Sequence, residues 1–188
     1  MPGLDEIARQ FIELFEGEGI PYALMGGVAL RIYALPRATF DVDFTFLLDR
    51  SQLPHLYLLV ENLGYTVPEP QHKGWLDTVR GLPVVKFQVW EGDHAIDVDV
   101  FLAEPEFQRE ILKRRQLQQT DGFHAWFVSA EDLLLLKLLA ARPKHLVDVA
   151  DVLFVQGTLD EEYLRTWARL LGIESRLDDA LKASRENQ

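Results

Sequence analysis

Leu4, Ile7, Ala8, Phe11, Leu14 and Phe15 recur at three- and four-residue spacing, which predicts an amphipathic helix over 4–16 closed by Gly17 and Gly19. The short apolar run Tyr22 to Met25 reads as a strand, broken by Gly26-Gly27 before a helical turn through Val28, Ala29, Leu30 and Ile32 that Pro36 ends. Residues 41–47 then alternate. Val42, Phe44 and Phe46 share one face, Asp41, Asp43 and Thr45 the other, the pattern of a half-buried strand with a wet face. A helix is expected over 51–63, closed by Gly64, and Val67 to Trp75, with Pro68, Pro70 and Gly74, reads as the one long loop. Pro83 to Trp90 and His94 to Leu102 alternate around Glu91-Gly92-Asp93 as a hairpin, and Pro105 suits the first turn of a helix ending near Arg115. After a last strand, His124 to Val128, the pattern is helical to the end: 131–141, 144–156, 160–171 and about 174–184, with Ser129 to Asp132 as a cap. The order predicts an α+β fold, a mixed sheet flanked by helices over 1–128, followed by a helical region over 129–188 packed on it.

Composition narrows the function. At 188 residues, 48% hydrophobic and 26% charged, the chain can bury a core, and a disordered or fibrous protein is excluded. With no cysteine, disulfide frameworks and thiolate metal sites are excluded too. Thirty acidic against 19 basic residues give a net charge of −11, so no broad nucleic-acid-binding face is expected; any such contact needs a local patch such as Lys113, Arg114 and Arg115. Lys137 interrupts the longest apolar run, Leu133 to Ala141, and acids stand near the start where a signal peptide needs bases, so a cytoplasmic protein with no membrane segment is expected.

The chemistry concentrates in Asp41-Val42-Asp43. A strand holds these two carboxylates roughly 6–7 Å apart on one face, able to share a divalent cation such as Mg²⁺, which takes hard oxygen ligands together with substrate phosphates. Such a pair also serves merely to solvate a strand, but Gly26-Gly27, between a strand and a helix, adds backbone N–H groups fit to cradle a phosphate, and Arg37 and Thr39 shortly precede the acids. In Asp97-Val98-Asp99 two further acids share a strand face, and either can complete a carboxylate trio of the kind that two-metal phosphoryl transfer uses.

The run from Gly26-Gly27 through Arg37 and Thr39 to Asp41-Val42-Asp43 resembles the signature of the polymerase-β-like nucleotidyltransferase superfamily: Gly-Gly or Gly-Ser, about ten residues, then Asp-x-Asp. It is most similar to the nucleotidyltransferase toxins of type IV abortive-infection toxin–antitoxin systems and their relatives. The resemblance covers about residues 20–156. It implies a mixed-sheet core followed by helices, and Mg²⁺-dependent transfer of a nucleotide from an NTP, with two ions and Mn²⁺ as a substitute. Carried over, Gly26 and Gly27 hold phosphates with Arg37 and Thr39 beside them. Asp41 and Asp43 bind metal, and Asp97 or Asp99 is the third acid, Asp99 being favoured because Val100-Phe101-Leu102 runs on into a Pro-led helix. The choice stays open. The acceptor is unspecified: a tRNA end, a protein hydroxyl or a small molecule. A cognate antitoxin is the implied partner. The family's later motif, a lysine in an apolar helix and then Arg-x-Lys-Asp-x-x-Asp, resembles Lys137 and Arg142-Pro-Lys144-His145-Leu-Val-Asp148, with His145 where an acid is usual. Lys137 and Asp148 are thereby expected at the substrate, although Lys137 also suits a snorkelling lysine and Asp148 an exposed partner of Lys144.

Two rivals remain. Asp41-Val-Asp-Phe-Thr45 matches the Asp-x-Asp-x-Thr nucleophile motif of haloacid-dehalogenase-like phosphatases, but there the hydrophobic strand precedes the motif, whereas here it follows. An inactive nucleotidyltransferase fold serving as a binding or regulatory subunit is the other, which His145 permits and the intact Asp41, Asp43 and Gly26-Gly27 oppose. His55, His72, His94, His124 and His145 show no metal-ligand spacing.

Overall fold

A computed structural model describes residues 3–91, 94–120 and 123–186. The chain begins with α1 (Leu4–Gly17), β1 (Tyr22–Met25), α2 (Gly26–Tyr33) and β2 (Asp41–Phe46). After a 3-10 turn at Arg50–Gln52 come α3 (Leu53–Asn62), the short α4 (Glu69–His72), β3 (Asp77–Val79), β4 (Leu82–Glu91) and β5 (His94–Leu102). Then follow α5 (Glu106–Arg114), β6 (Gln116–Gln119), β7 (His124–Phe127), and four helices, α6 (Ala130–Ala140), α7 (Pro143–Gln156), α8 (Glu161–Leu170) and α9 (Glu174–Glu186).

The strands form one mixed sheet in the order β3-β4-β5-β2-β1-β7-β6, in which β2 is parallel to β5 and β1 to β7 while the other pairs are antiparallel. This is the α+β architecture expected, with helices after the last strand. One face of α1 is buried, and its Phe11 ring stands 4.9–6.0 Å from those of Phe15, Phe44, Tyr65 and Phe87, joining helix, sheet and the segment after α3. The pairs with Phe15 and Tyr65 are edge-to-face, a geometry that favours aromatic pairs beyond simple burial. Beyond the sheet, α6 packs against α7, α8 and α2, which is why Leu133 to Leu138 are buried all round. Ser129 caps α6, its hydroxyl accepting from Asp132 N.

Several elements depart from the pattern reading. Thr45, expected on the wet face, is fully buried, because α5 covers that end of β2; its hydroxyl lies 2.8 Å from Gln108 Oε1 and 3.2 Å from the Phe101 carbonyl. The stretch 67–75 is not simply a loop: α4 forms within it, and the buried Gln71 amide clamps the backbone of Lys86, Nε2 donating to its carbonyl at 2.8 Å and Oε1 accepting from its N–H at 2.7 Å. β3 and β6 were not foreseen, since Asp-Thr-Val and Gln-Leu-Gln-Gln show little alternation and are edge strands held by their neighbours' ladders. The expected hairpin turn at Gly92-Asp93 lies outside the described residues.

Because Phe11 joins these layers, Phe11→Ala is expected to lower stability by about 3–5 kcal/mol, the usual cost of emptying a buried aromatic site, as read from urea unfolding. A loss below about 1 kcal/mol contradicts this account of the core.

Candidate active site

The ladder registers align residues from four adjacent strands. Lys86 on β4 stands opposite Asp99 on β5, Asp99 opposite Asp43 on β2, and Asp43 opposite Met25 at the end of β1. Asp41 lies two residues from Asp43, hence on the same face, opposite Asp97. The parallel β2–β5 pairing thus brings both Asp97 and Asp99 beside the β2 acids. Only Asp99 lines the cleft that holds Asp41 and Asp43; Asp97 is exposed and accepts from Gln88 Nε2 at 2.7 Å.

The glycines explain why β1 turns into α2 with no loop between. Gly26 has φ +64°, a left-handed conformation that side chains rarely adopt, and a Cβ built on it would lie 1.8 Å from Asp43 Oδ2. A Cβ on Gly27 would lie 2.1 Å from Thr39 Oγ1. The bare backbone of the first turn of α2 is therefore pressed against the acids. No side-chain hydrogen bond caps that turn among the described residues, and Met25, Gly26 and Gly27 line the cleft. Thr39, expected beside phosphates, instead donates its hydroxyl to Asp41 Oδ1 at 2.7 Å and fixes that carboxylate.

Asp148, on α7, is almost wholly buried. Arg37 Nε and Nη2 bind its two oxygens at 2.6 and 2.9 Å, and Lys137 Nζ, on α6, lies 3.0 Å from Oδ2. The alternative of an exposed Asp148 paired with Lys144 is overturned, since α7 packs this face inward against α6 and α2. Burial works against the Asp148 charge, but the Arg37 and Lys137 contacts outweigh it and hold the carboxyl below its ordinary range. Burial lowers the Lys137 pKa, with Asp148 and Asp43 opposing. Arg37 was expected to approach the substrate. Its third nitrogen, Nη1, donates to the Ala38 carbonyl at 3.0 Å, so the guanidinium is committed to the protein. Lys137 does line the cleft with the acids.

The cleft, of about 170 Å³, also takes in residues that the motifs passed over: Lys86, Arg142, Lys144 and His145. Lys86 Nζ lies 3.7 Å from Asp99 Oδ1. The side chains of Arg142 and Lys144 have no ion-pair or hydrogen-bond partner among the described residues, although the protein carries 30 acids. His145 is buried, and burial, reinforced by the Lys137 charge, lowers its pKa to about 4, so the ring is neutral at pH 7. The sequence signal available for these residues was the Arg-x-Lys-His run itself; for Lys86 there was only its polar-face position in β4. A larger cavity of about 560 Å³ between α7 and α9, walled by Leu146, Val149, Phe154 and Ala180 among others, shares no residue with the cleft.

The acids repel one another. Burial first, then the charges of Asp41 and Asp99, push the Asp43 carboxyl up to about 7, with Lys137 and Lys144 opposing; burial also raises Asp99, whose Oδ1 is buried and lacks a hydrogen-bond partner. Among the described residues no three ligating side chains are already gathered as a metal-binding cluster. The donor chemistry nevertheless suits a hard divalent cation: same-face carboxylates of Asp41 and Asp43, a third from Asp99 with an unsatisfied oxygen, and a charge repulsion that a cation relieves.

A model of the family described as nucleotidyl transferase AbiEii toxin, type IV toxin–antitoxin system, matches residues 13–173. No curated protein matches the sequence. Among solved structures, the fold is similar to that of the antibiotic-resistance factor ANT(2'')-Ia, at 19% identity and TM-score 0.56 over 97% of this chain and 96% of that one. An antigenic nucleotidyltransferase-like protein from Paracoccidioides brasiliensis gives 19% and 0.56 over 94% and 91%. The lincosamide antibiotic adenylyltransferase LnuA, with lincomycin bound, gives 16% and 0.52 over 81% and 98%.

Two expectations follow from this geometry. Gly26→Ala is expected to reduce binding of Mg²⁺-ATP at least tenfold by calorimetry, because the added methyl group displaces the Asp43 carboxylate. In EDTA, Asp43→Asn is expected to stabilise the protein. A carboxyl whose pKa is about 7 when folded and near 3.8 otherwise makes the native state bind more protons, so its contribution to stability falls as pH rises through that window. The gain from Asn is therefore small at pH 4 and grows to about 1–3 kcal/mol above pH 7. Denaturant titration of both proteins across pH reads it, and a gain that shrinks with rising pH contradicts the assignment.

Proposed function

Since the chain belongs to the nucleotidyl transferase AbiEii toxin family of type IV toxin–antitoxin systems, we propose that it moves a nucleotide from an NTP to a hydroxyl-bearing acceptor by a Mg²⁺-dependent, two-metal mechanism. The observation that carries this reading is the meeting, in one cleft, of the Asp41-Asp43-Asp99 carboxylates, a helix N-terminus with no side-chain cap, and two cations, Arg142 and Lys144, without partners among the described residues. In a structural ion-pair network the charges would satisfy one another. Here acids and cations both keep unspent capacity, as a site for a metal-bound polyphosphate requires.

In this reading the N–H groups of Gly26 and Gly27 bind the β- and γ-phosphates, and Arg142, Lys144 and Lys137 balance their charge as flexible or point-like donors. Asp41, Asp43 and Asp99 would hold the metal ions, whose chemistry there would be to offset phosphate charge and lower the pKa of the attacking hydroxyl. Asp97, on the same strand face but outside the cleft, has no such role. The acceptor oxygen forms its bond to the α-phosphorus while the bond to pyrophosphate breaks, and the hydroxyl proton passes to Asp99. Thr39 orients Asp41. Arg37 acts as a positioning residue, holding Asp148 and through it Lys137. His145, kept neutral, adds no charge to a wall that must remain cationic.

Residues 1–128 are taken as the catalytic core and 129–188 as the helical region that closes it. Among the described residues no helix is long and apolar enough to cross a membrane, and we place the reaction in the cytoplasm, where NTPs are available. The family implies a cognate antitoxin as partner. Structural neighbours named for antibiotics leave a small-molecule acceptor as open as a tRNA or a protein hydroxyl.

Incubation of the purified chain with each labelled NTP, Mg²⁺ and a cell extract tests the activity. Labelled product is expected with wild type, and a loss of at least about 10²-fold with Asp41→Asn or Asp43→Asn, the scale seen on removing a main electrostatic element. Lys144→Ala is expected to raise the KM for NTP severalfold with a smaller effect on kcat. Nucleotide binding without any transfer favours the inactive regulatory subunit instead, and unchanged transfer in both Asp variants overturns the site.

A further inference from the structure

The outer edge of β4 is closed differently at three alternate residues. β3 pairs with it at Val84, the Gln71 amide takes both backbone groups of Lys86, and Thr66 exchanges two backbone hydrogen bonds with Gln88, at 2.7 and 3.0 Å. Because the Lys86 N–H and C=O both point to Gln71, Lys86 and Asp99 form a non-hydrogen-bonded cross-strand pair, the kind whose side chains stand closer. Opposite residues of a ladder share a face, as do residues two apart on one strand. Asp99 is opposite Lys86 and Asp77 is opposite Val84, so Lys86 stands between two carboxylates on one face, Asp99 on the β5 side and Asp77 diagonally on the β3 side. Asp77 and Lys86 also line a cavity of about 430 Å³, and Lys86 lines the catalytic cleft as well. The contact with Asp99 is loose. Lys86 Nζ lies 3.7 Å from Oδ1, an ion pair too long for a hydrogen bond, and that buried oxygen has no hydrogen-bond partner. The Asp77 side chain has no ion-pair or hydrogen-bond partner among the described residues.

Resting on the nucleotidyltransferase reading above, we propose that Lys86 is a displaceable counter-ion: it offsets the Asp99 charge while that carboxylate is free of metal, and passes to Asp77 when a divalent cation binds Asp99. An ammonium and a divalent cation repel each other at one carboxylate, so binding at Asp99 costs the Lys86 contact. Among the described residues no other cation stands within salt-bridge reach of Asp99, so this competition falls on Lys86 alone. The lysine is suited to leave. Its ammonium is a point charge on a flexible stem, with no planar fork to break, and an unpaired carboxylate waits on its other side. The Gln71 clamp fixes the Lys86 backbone, which confines the exchange to the side chain. Lys86 thereby sets the affinity of the Asp99 position for its ion, through the difference between its hold on Asp99 and its hold on Asp77.

Titration of the full chain with Mn²⁺, the free ion being read by its paramagnetic resonance, tests this with neither nucleotide nor turnover. Lys86→Met is expected to tighten Mn²⁺ binding about fivefold, the scale of a part-exposed ion pair, and Asp99→Asn to erase that gain. Lys86→Arg keeps the charge and grips a carboxylate with a fork, so it is expected to leave binding unchanged or weaker. Asp77→Asn is expected to weaken Mn²⁺ about threefold on the wild-type background and to have no effect beside Lys86→Met, because it acts only through the lysine. Circular dichroism checks the fold of each variant. A lysine that merely supports the sheet moves the thermal midpoint and not the Mn²⁺ affinity. The proposal is overturned if Lys86→Met binds Mn²⁺ no more tightly than wild type, if Lys86→Arg tightens binding as Lys86→Met does, or if Asp77→Asn weakens it equally on both backgrounds, which makes Asp77 a remote charge only. A parallel titration with ATP present separates the two readings. Wild type that binds Mn²⁺ with ATP but fails these tests leaves nucleotidyl transfer standing, whereas wild type that binds no Mn²⁺ even with ATP overturns that reading and this one together.

Discussion

Repulsion among carboxylates gathered on one sheet face is the constraint around which this molecule is arranged. Asp41, Asp43 and Asp99 stand on adjacent strands, and burial makes the charges of Asp43 and Asp99 costlier than in water. A sheet face of this kind would ordinarily be relieved by solvent or by direct ion pairs. Here solvent is limited by the Gly26 turn pressed on Asp43 and by the C-terminal helices. Cations are present, but among the described residues only Lys86 stands within salt-bridge reach of one of the three, 3.7 Å from Asp99. The unrelieved repulsion therefore lowers stability at this point, a cost that a bound cation would remove.

Asp148 shows how the cation side is kept in place. Buried and bound by Arg37 from the segment before β2 and by Lys137 from α6, it ties three distant parts of the chain together. Removing one partner of such a buried pair strands a charge, so the cluster specifies geometry more strongly than it adds net stability. Its effect is to hold the Lys137 ammonium, which lines the cleft with the acids, on Asp148. His145, one turn earlier on α7, is neutral for the same reason: the cations around it and its burial both disfavour protonation.

The aromatic layer under α1 is the counterweight. Phe11, Phe15, Phe44 and Phe87 pack on the sheet face opposite the acids, since Phe44 alternates with Asp43 along β2. The same strand therefore carries the core on one side and the strained carboxylates on the other. A core of this size lets the protein keep the repulsion without unfolding.

Much of this was legible in the chain. Alternation in Asp41–Phe46 puts Asp41 and Asp43 on one face through local stereochemistry alone, and Gly26-Gly27 before a helical pattern marks a turn where side chains do not fit. Helix periods and caps located α1 and the helices after Ser129, because those signals are local too. What depended on pairing between distant segments was not legible. Which of Asp97 and Asp99 lines the cleft follows from how the sheet is covered, and the burial of Thr45 follows from α5. The binding of Arg37 to Asp148 spans 111 residues, and the clamping of Lys86 by Gln71 needs an α4 that no periodicity announces. Local patterns decide which face of an element a side chain occupies; only the packed tertiary structure decides what that face meets, because contact, burial and charge compensation are properties of the neighbours and not of the segment.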